Sequence, residues 1–196
     1  FCNKLWNAAN FTRLSTDSMP LEGIPASQNI IDRWINLEFD AAASAINRAM
    51  DDYRFDLAAK ALYDFVWNEF CDWYLELIKP ILQTEAFSHE EKAATQHNLL
   101  SLFEKILRLA HPFMPFITEE LWQALPEPLK RGRSIMLAPF PEGADATDPL
   151  VQDDVQWLKS VVTAIRNIRG EQNISPGKPI PIIFHQGGST DRERFS

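Results

Sequence analysis

Residues 58–80, AAKALYDFVWNEFCDWYLELIKP, combine helical spacing with many aromatic side chains, and this stretch constrains the fold most strongly. At about 100° per residue, its large apolar side chains share an arc that covers more than half of the circumference of a helix. A surface helix needs only one apolar stripe, so this arc predicts neighbouring elements on several sides. Asp56 is the predicted N-cap, and Pro80 is predicted to end the helix. We therefore predict a central helix over 58–79, the most buried helix of an all-α core.

The aromatic side chains of this helix have two interpretations. Trp67, Trp73 or Tyr74 could stack on a ligand or a base, or the same rings could pack in the core. Helical spacing inside an apolar arc favours core packing, with the polar atoms of buried Tyr and Trp held by a partner. Phe65 falls outside the arc, among polar residues. Spacing alone therefore predicts a fold element and no chemistry.

Helical periodicity predicts five further helices, at about residues 1–14, 27–53, 88–110, 116–125 and 148–170. Ser27 is the predicted N-cap of the second helix in the chain. Ser88 and Glu91 form an S-x-x-E capping box before the helix at 88–110. Asp148 followed by Pro149 gives a cap and a first-turn proline for the last helix.

Two short segments have the pattern of strands. The first is SIMLAP at 134–139, and the second is 180–184, where apolar residues alternate with prolines. Residues 15–26 carry Pro20, Gly23 and Pro25 and are predicted to form a loop. The predicted fold class is therefore all-α, a helical bundle with one or two short strands near the C-terminal part.

The composition is typical of a folded protein of the cytoplasm. The 196 residues suffice for one large domain or for one domain plus a fragment, and 45% of them are hydrophobic. No run of 18 apolar residues could span a membrane, so we expect no membrane partner. Cys2 and Cys71 are far apart and outside any C-x-x-C pattern, which favours reduced thiols. Because the chain begins at Phe1 without Met, we expect a piece of a longer protein.

The formal net charge of −8 bears on the class of partner. A protein that binds nucleic acid through its general field is usually basic. An acidic chain that binds RNA must therefore use a local patch and shape recognition. The composition by itself argues weakly against RNA.

No sequence pattern for covalent catalysis or cofactor binding is present. The chain contains no G-x-x-x-x-G-K-[ST], G-x-G-x-x-G, H-E-x-x-H or G-x-S-x-G. The four histidines do not cluster at metal-ligand spacing, and His111, before Pro112, is expected to make a structural hydrogen bond. Glu119 and Glu120 open a helix, where the helix dipole favours carboxylates. We therefore predict no catalytic residue, no metal site and no cofactor in this chain.

Three asparagines occupy one face of the first predicted helix. Asn3, Asn7 and Asn10 recur at spacings of four and three residues. Asparagine forms helix interiors poorly, so its repetition suggests a polar face with a binding role. An ordinary solvated face is the alternative, and the residues alone favour it.

Three segments resemble the helical anticodon-binding domain of class I aminoacyl-tRNA synthetases. They are NKLWNA at 3–8, NEFCDWYLELIKP at 68–80 and LRLAHPFMPFITEELWQ at 107–123. The FCDWYLE string and IRNIRGEQNISPGKP at 165–179 are similar to the bacterial valyl enzymes in particular. The HPFMPFITEELW string is shared more loosely with the leucyl and isoleucyl enzymes. Together the matches span nearly the whole chain.

This resemblance implies a function for the chain. The parent enzyme of the family joins valine to its tRNA with ATP and Mg²⁺, through a valyl-adenylate, in the cytoplasm and as a monomer. Its HIGH and KMSKS motifs and its editing domain are not in this sequence. The resemblance implies a helical anticodon-binding domain at 1–170 and, at 171–196, the truncated start of the region leading to a C-terminal coiled-coil arm. The implied partner is the tRNA for valine, and the fragment itself is not catalytic.

The resemblance and the chemistry of RNA together select candidate anticodon contacts. Single-stranded bases are read by stacking on aromatic or guanidinium planes and by hydrogen bonds to their edges. In bacterial relatives an arginine occupies the position of Asn10, so Arg13, one turn on, is a substitute candidate. Lys4 is the candidate for a phosphate, and core packing is an equal alternative for Phe11 and Trp34. The full set is Asn3, Lys4, Asn7, Asn10, Phe11, Arg13, Arg33 and Trp34.

Two alternative functions stay open from the sequence. The chain could be the corresponding domain of a leucyl or isoleucyl enzyme, which the FCDWYLE string disfavours. It could also be a helical protein-interaction module without RNA binding, which the acidic net charge favours.

Overall fold

The structure, a computed structural model, consists of two compact units, Phe1–Thr147 and Asp148–Ser196. It describes residues 1–17, 23–130, 132–144, 146–175, 177–183, 185 and 187–194, without the side chain of Glu193. The loop predicted at 15–26 lies partly outside the described residues. The functional boundary at residue 170 stays a prediction.

The first unit is a bundle of helices. In chain order these are α1 (Cys2–Thr16), α2 (Ile30–Asp51), α3 (Phe55–Asp64), a π-helical segment (Phe65–Tyr74), α4 (Leu75–Gln83), α5 (His89–Ala110) and α6 (Pro115–Gln123), followed by 3₁₀ turns at Glu127–Leu129 and Ile135–Leu137. The prediction of an all-α fold is confirmed.

Helix α5 is more buried than the helical stretch predicted to be central. It packs against α1, α2, α4 and α6, and half of its residues are buried. Its buried side chains include Ala94, Thr95 and Glu104. These small or polar side chains add nothing to the apolar pattern of the sequence. The prediction that 58–79 forms the most buried helix is therefore wrong, because burial depends on neighbours and not on apolar content alone.

The predicted central helix contains a π-helical segment. The backbone stays helical from α3 through Phe65–Tyr74 into α4. A π-helix closes i→i+5 hydrogen bonds, so each residue turns by less than 100° and the buried face drifts. Phe65 is therefore buried, contrary to the sequence pattern, with its ring edge-on to Phe39 of α2 at 5.7 Å. Tyr74 is fully buried, which confirms core packing for this ring.

Most predicted helix starts are correct. Ser88 and Glu91 form the capping box, and Asp148 caps the helix that follows it through the N–H of Val151. Ser27 does not cap α2, whose N-cap is Asn29. The Asn29 side chain accepts a hydrogen bond from the N–H of Ile31, at 2.7 Å.

Two predicted ends of the central helix are also wrong. Asp56 lies inside α3 and is hydrogen-bonded by the Arg54 guanidinium at 2.9 and 3.0 Å, so it does not act as the N-cap. Pro80 lies inside α4, which continues to Gln83. Ile78 and Ile81 on either side of this proline are buried, and their packing holds the helix although proline has no N–H to donate.

Neither predicted strand is found among the described residues. Ser134 begins a 3₁₀ turn, in which its hydroxyl accepts from the N–H of Met136 and its carbonyl accepts from the N–H of Leu137. Residues 180–183 have no regular structure, and 184 lies outside the described residues. A strand needs a second strand for its backbone hydrogen bonds, and the backbone at 134–138 bonds locally instead.

A buried carboxylate joins α2, the π-helical segment and α5. Asp32 is 1% exposed. One of its oxygens accepts from the Tyr74 hydroxyl at 2.6 Å and the Asn98 amide at 3.1 Å. The other accepts from the hydroxyls of Ser27 at 2.6 Å and Thr95 at 2.7 Å. Burial raises the pKa of Asp32, and these four hydrogen bonds oppose the rise.

A second polar cluster joins α5 to α6. The Glu104 carboxylate accepts hydrogen bonds from the indole of Trp122 at 2.9 Å and from the Arg108 guanidinium at 2.8 to 3.0 Å. Arg108 also donates to the carbonyl of Pro139 at 2.7 Å. The Trp122 ring is fully buried, so its N–H is satisfied inside the core as burial requires.

The second unit contains α7 (Pro149–Glu171) and a short α8 (Ser189–Glu193). Arg194, just after α8, donates to Asp154 of α7 at 2.7 Å. Its guanidinium also lies 5.5 Å from the ring centre of Trp157. These contacts connect the two helices of this unit.

Candidate nucleic-acid interface

The three asparagines form one exposed face of α1. Leu5, Ala8 and the Thr12 side chain bury the opposite side of the helix. Asn3, Asn7 and Asn10 therefore point outward and are all exposed. Within the described part of the chain, these three amides make no hydrogen bond. Their donors and acceptors are available to a partner.

Arg13 and Asn10 border a cavity beside this face. The cavity has a volume of about 440 Å³ and lies between α1, α5, α6 and the residues after α6. Apolar side chains such as Leu100, Phe103 and Leu121 form its walls. Arg13 is exposed and makes no ion pair with any described residue. It thus supplies a positive charge at the edge of an apolar recess.

Lys4 lies on the other flank of α1, against the π-helical segment. Its ammonium is ion-paired with the carboxylate of Asp72. The same ammonium lies 3.9 Å from the ring centre of Trp67, within the range of a cation–π contact. The predicted phosphate ligand is therefore held by two groups of this chain.

A similar arrangement recurs at Phe11. Its ring is partly buried and has the ammonium of Lys79 at 5.8 Å from its centre. Lys79 is in turn paired with Glu76 at 2.6 Å. We call these two arrangements the paired-lysine surface, formed by Lys4, Trp67, Asp72, Phe11, Lys79 and Glu76.

The two candidates on α2 have different environments. Trp34 is 3% exposed, so it takes the core role that the sequence left as an alternative. A ring this buried has no free face for a base. Arg33, its neighbour, is exposed in the first turn of α2. The structure therefore brings the α1 candidates together and places only Arg33 of the α2 pair at the surface.

The sequence did not predict the part of the paired-lysine surface that lies on the π-helical segment and α4. Asp72, Glu76 and Lys79 follow one another at spacings of four and three residues, which marked them only as a charged side of the helix. Asp72 contacts Lys4 and Lys79 contacts Phe11, so these two contacts cross between helices, whereas Glu76 pairs with Lys79 within α4. Helical spacing has no information about such contacts.

The described residues show no arrangement for covalent or metal chemistry. They contain no group of three or more His, Cys, Asp or Glu side chains that could hold a metal ion. His111 and Thr118 are hydrogen-bonded at 2.8 Å, as expected for a structural histidine. Burial raises the pKa of the Cys71 thiol to about 11, so this thiol stays protonated and unreactive at neutral pH. The described helices also include none with the length and apolar composition to cross a bilayer.

Comparison with known families places most of the chain in one of them. The model of the anticodon-binding domain of tRNA ligase matches residues 32–184, more than half of the chain. The matched range includes Arg33, Trp34 and the residues of the paired-lysine surface that lie at 67–79. Helix α1 precedes it.

Proposed function

The chain belongs to the anticodon-binding domain family of tRNA ligases, and from this premise we propose that it recognises the anticodon of valine tRNA. The family implies that its partner is a tRNA. The valine assignment rests on the FCDWYLE string and on the segment at 165–179, which are similar to the bacterial valyl enzymes. In this proposal the chain acts as one domain of an ATP-dependent ligase and performs no chemistry itself.

The observation that supports the RNA-binding surface most directly is the exposed face of α1. Asn3, Asn7 and Asn10 supply hydrogen-bond donors and acceptors that no described residue uses. Unstacked RNA bases are recognised by such groups on their edges. Arg13, without a described ion-pair partner, supplies a guanidinium for stacking or for phosphate.

The aromatic and cationic side chains beside this face suit an anticodon loop. Phe11 is partly exposed and can stack on a base, and the ammonium groups of Lys4 and Lys79 lie along the same flank of α1, where they can reach phosphates. The net charge of −8 makes such local groups necessary, because the field of the whole chain does not attract RNA.

Binding of anticodon stem-loops tests the proposal. Valine anticodons keep adenine in the middle and cytosine third, so the valine stem-loop should bind more tightly than one in which the middle adenine is replaced. The loss of a stacked base typically costs about 1–3 kcal/mol, which a titration at stated salt resolves. Leucine and isoleucine stem-loops separate the alternatives within the ligase family.

Variants of two arginines test the surface. Arg13→Ala combined with Arg33→Ala should weaken binding of the valine stem-loop, whereas Arg48→Ala, which removes an exposed arginine near the end of α2, should not. Equal affinity for the valine and the replaced stem-loops would refute anticodon recognition. An unchanged affinity in the double variant would refute the surface assignment alone.

A further inference from the structure

Lys4 of α1 and Lys79 of α4 are each already in contact with a carboxylate and a ring of this chain. Lys4 has Asp72 and Trp67 as partners, and Lys79 has Glu76 and Phe11. Each arrangement therefore consists of one aromatic ring, one ammonium and one carboxylate. All four charged side chains are partly exposed, between 24% and 50%.

A carboxylate that pairs with a lysine competes with a phosphate for the same ammonium. Both are oxygen anions that accept hydrogen bonds from the three N–H groups of the lysine. Because these pairs are partly exposed, each is weak enough to be exchanged rather than permanent. The aromatic ring keeps the ammonium in place during the exchange, since a cation–π contact does not use the N–H donors that point away from the ring.

We propose that Asp72 and Glu76 are internal competitors for RNA phosphates, which suppress RNA binding that does not also involve base contacts. This inference rests on the proposed function. An RNA that offers only phosphates must displace a carboxylate for each lysine contact that it gains. An RNA that also fits the face of α1 retains the binding free energy of its base contacts. The two carboxylates thereby weaken binding through phosphates, and only an RNA with base contacts offsets this loss.

The chain provides a matched control for the removal of one charge. Asp64 is paired with Lys60 four residues away on α3, as Asp72 is paired with Lys4. Among the described residues, Lys60 makes no cation–π contact, and this ion pair includes no residue of α1. Asp72→Asn and Asp64→Asn change the net charge equally. A difference in RNA affinity between them therefore comes from the position of the carboxylate and not from the net charge of the chain.

The experiment measures RNA binding of these variants over a range of salt concentrations. The RNAs are the valine anticodon stem-loop and a single-stranded oligouridylate, which lacks the anticodon. Asp72→Asn should bind the oligouridylate about two- to fivefold more tightly than the wild type, the range expected for release of a partly exposed ion pair. One additional phosphate contact should also steepen the slope of log K against log salt by about 0.7. Glu76→Gln should act in the same direction, and Asp64→Asn should leave both quantities near the wild-type values.

A second variant separates competition from loss of structure. In a Lys4→Met background, Asp72→Asn should no longer change RNA affinity, because the competition requires the ammonium. Circular dichroism of each variant checks that the helices are retained. An Asp72→Asn effect equal to that of Asp64→Asn, or weaker RNA binding in Asp72→Asn, would overturn the proposal. Lack of discrimination between anticodons would overturn the proposed function instead, and the oligouridylate measurement would still decide the competition.

Discussion

The carboxylate of Asp32 connects three elements of the first unit through a single side chain. Its four hydrogen-bond donors come from the loop before α2, from the π-helical segment and from α5. Asp32 is also in the first turn of α2, where the helix dipole favours a negative charge. One buried residue thus fixes the end of α2 that presents Arg33.

We expect Asp32→Ala to destabilise the protein by at least about 3 kcal/mol. The substitution leaves several buried donors without an acceptor, and each such group typically costs about 1–3 kcal/mol. Urea unfolding at neutral pH measures the change. Asp64→Ala, at an exposed position, is the control and should cost less than about 0.5 kcal/mol. Similar losses in both variants would show that the buried network contributes little.

The pH dependence of this residue has a definite sign. Burial raises the pKa of Asp32 in the folded protein above its unfolded value, so the folded state binds the proton more readily. The contribution of Asp32 to stability therefore increases as the pH falls through its folded pKa. The exposed carboxylate of Asp56 behaves in the opposite way. Asp56, whose pKa is lowered to about 2 by the Arg54 hydrogen bonds, contributes stability that is lost as the pH falls from about 4 to 2.

At the residue scale, the sequence predicts which side chains could bind RNA better than it predicts which side chains contact each other. It identifies the asparagine face of α1, and these amides are exposed. It selects Lys4 as a phosphate ligand without indicating that Asp72 already holds the ammonium. Pairing of this kind depends on the arrangement of two helices, which local spacing does not encode. Whether the α1 residues contact an anticodon stays a prediction.

At the scale of elements, the π-helical segment separates two aromatic residues that the sequence treats alike. Phe70 is fully buried and lies 6.2 Å from Phe103 of α5 between ring centres. Trp67, three residues earlier, is only partly buried and stacks at 5.3 Å on the exposed ring of Tyr63. The first ring supports the core, and the second supports the surface beside α1.

We therefore expect different effects from truncating these two rings. Phe70→Ala should cost about 3–5 kcal/mol, since it leaves a cavity between two helices. Trp67→Ala should cost clearly less, because part of the ring is already in water. Thermal or urea unfolding of both variants provides the comparison. A loss below about 1 kcal/mol for Phe70→Ala would contradict the packing described here.

Most of the helices could be predicted from the sequence, but which of them is the most buried could not. Periodicity locates the helix that contains Phe70 and its neighbours. It misses that Ala94, Thr95 and Glu104 are buried in α5, because small and polar side chains carry no apolar signal. Their burial depends on partners supplied by other helices. The missing strand at 134–139 has the same cause, since a strand also depends on a partner.

At the scale of the molecule, the family match assigns the chain an anticodon-binding domain. The sequence contains no HIGH or KMSKS motif and no G-x-x-x-x-G-K-[ST] pattern. We therefore expect the isolated chain to form no valyl-adenylate from ATP and valine. Valine-dependent exchange of pyrophosphate into ATP is the measurement, with a complete ligase as the positive control. Exchange by the purified chain would show that a catalytic site has been overlooked.

The pairing of Lys4 and Lys79 with carboxylates also affects the way in which an RNA arrives. In the unbound protein these lysines create almost no field of their own, and the chain as a whole repels polyanions. An approaching RNA is thus not drawn in from a distance. It meets attraction only after carboxylates have been displaced at close range, so the proposed competition slows encounters. Under the proposed function, capture of the tRNA would then depend on surfaces elsewhere, and this surface would examine an anticodon that has already been delivered.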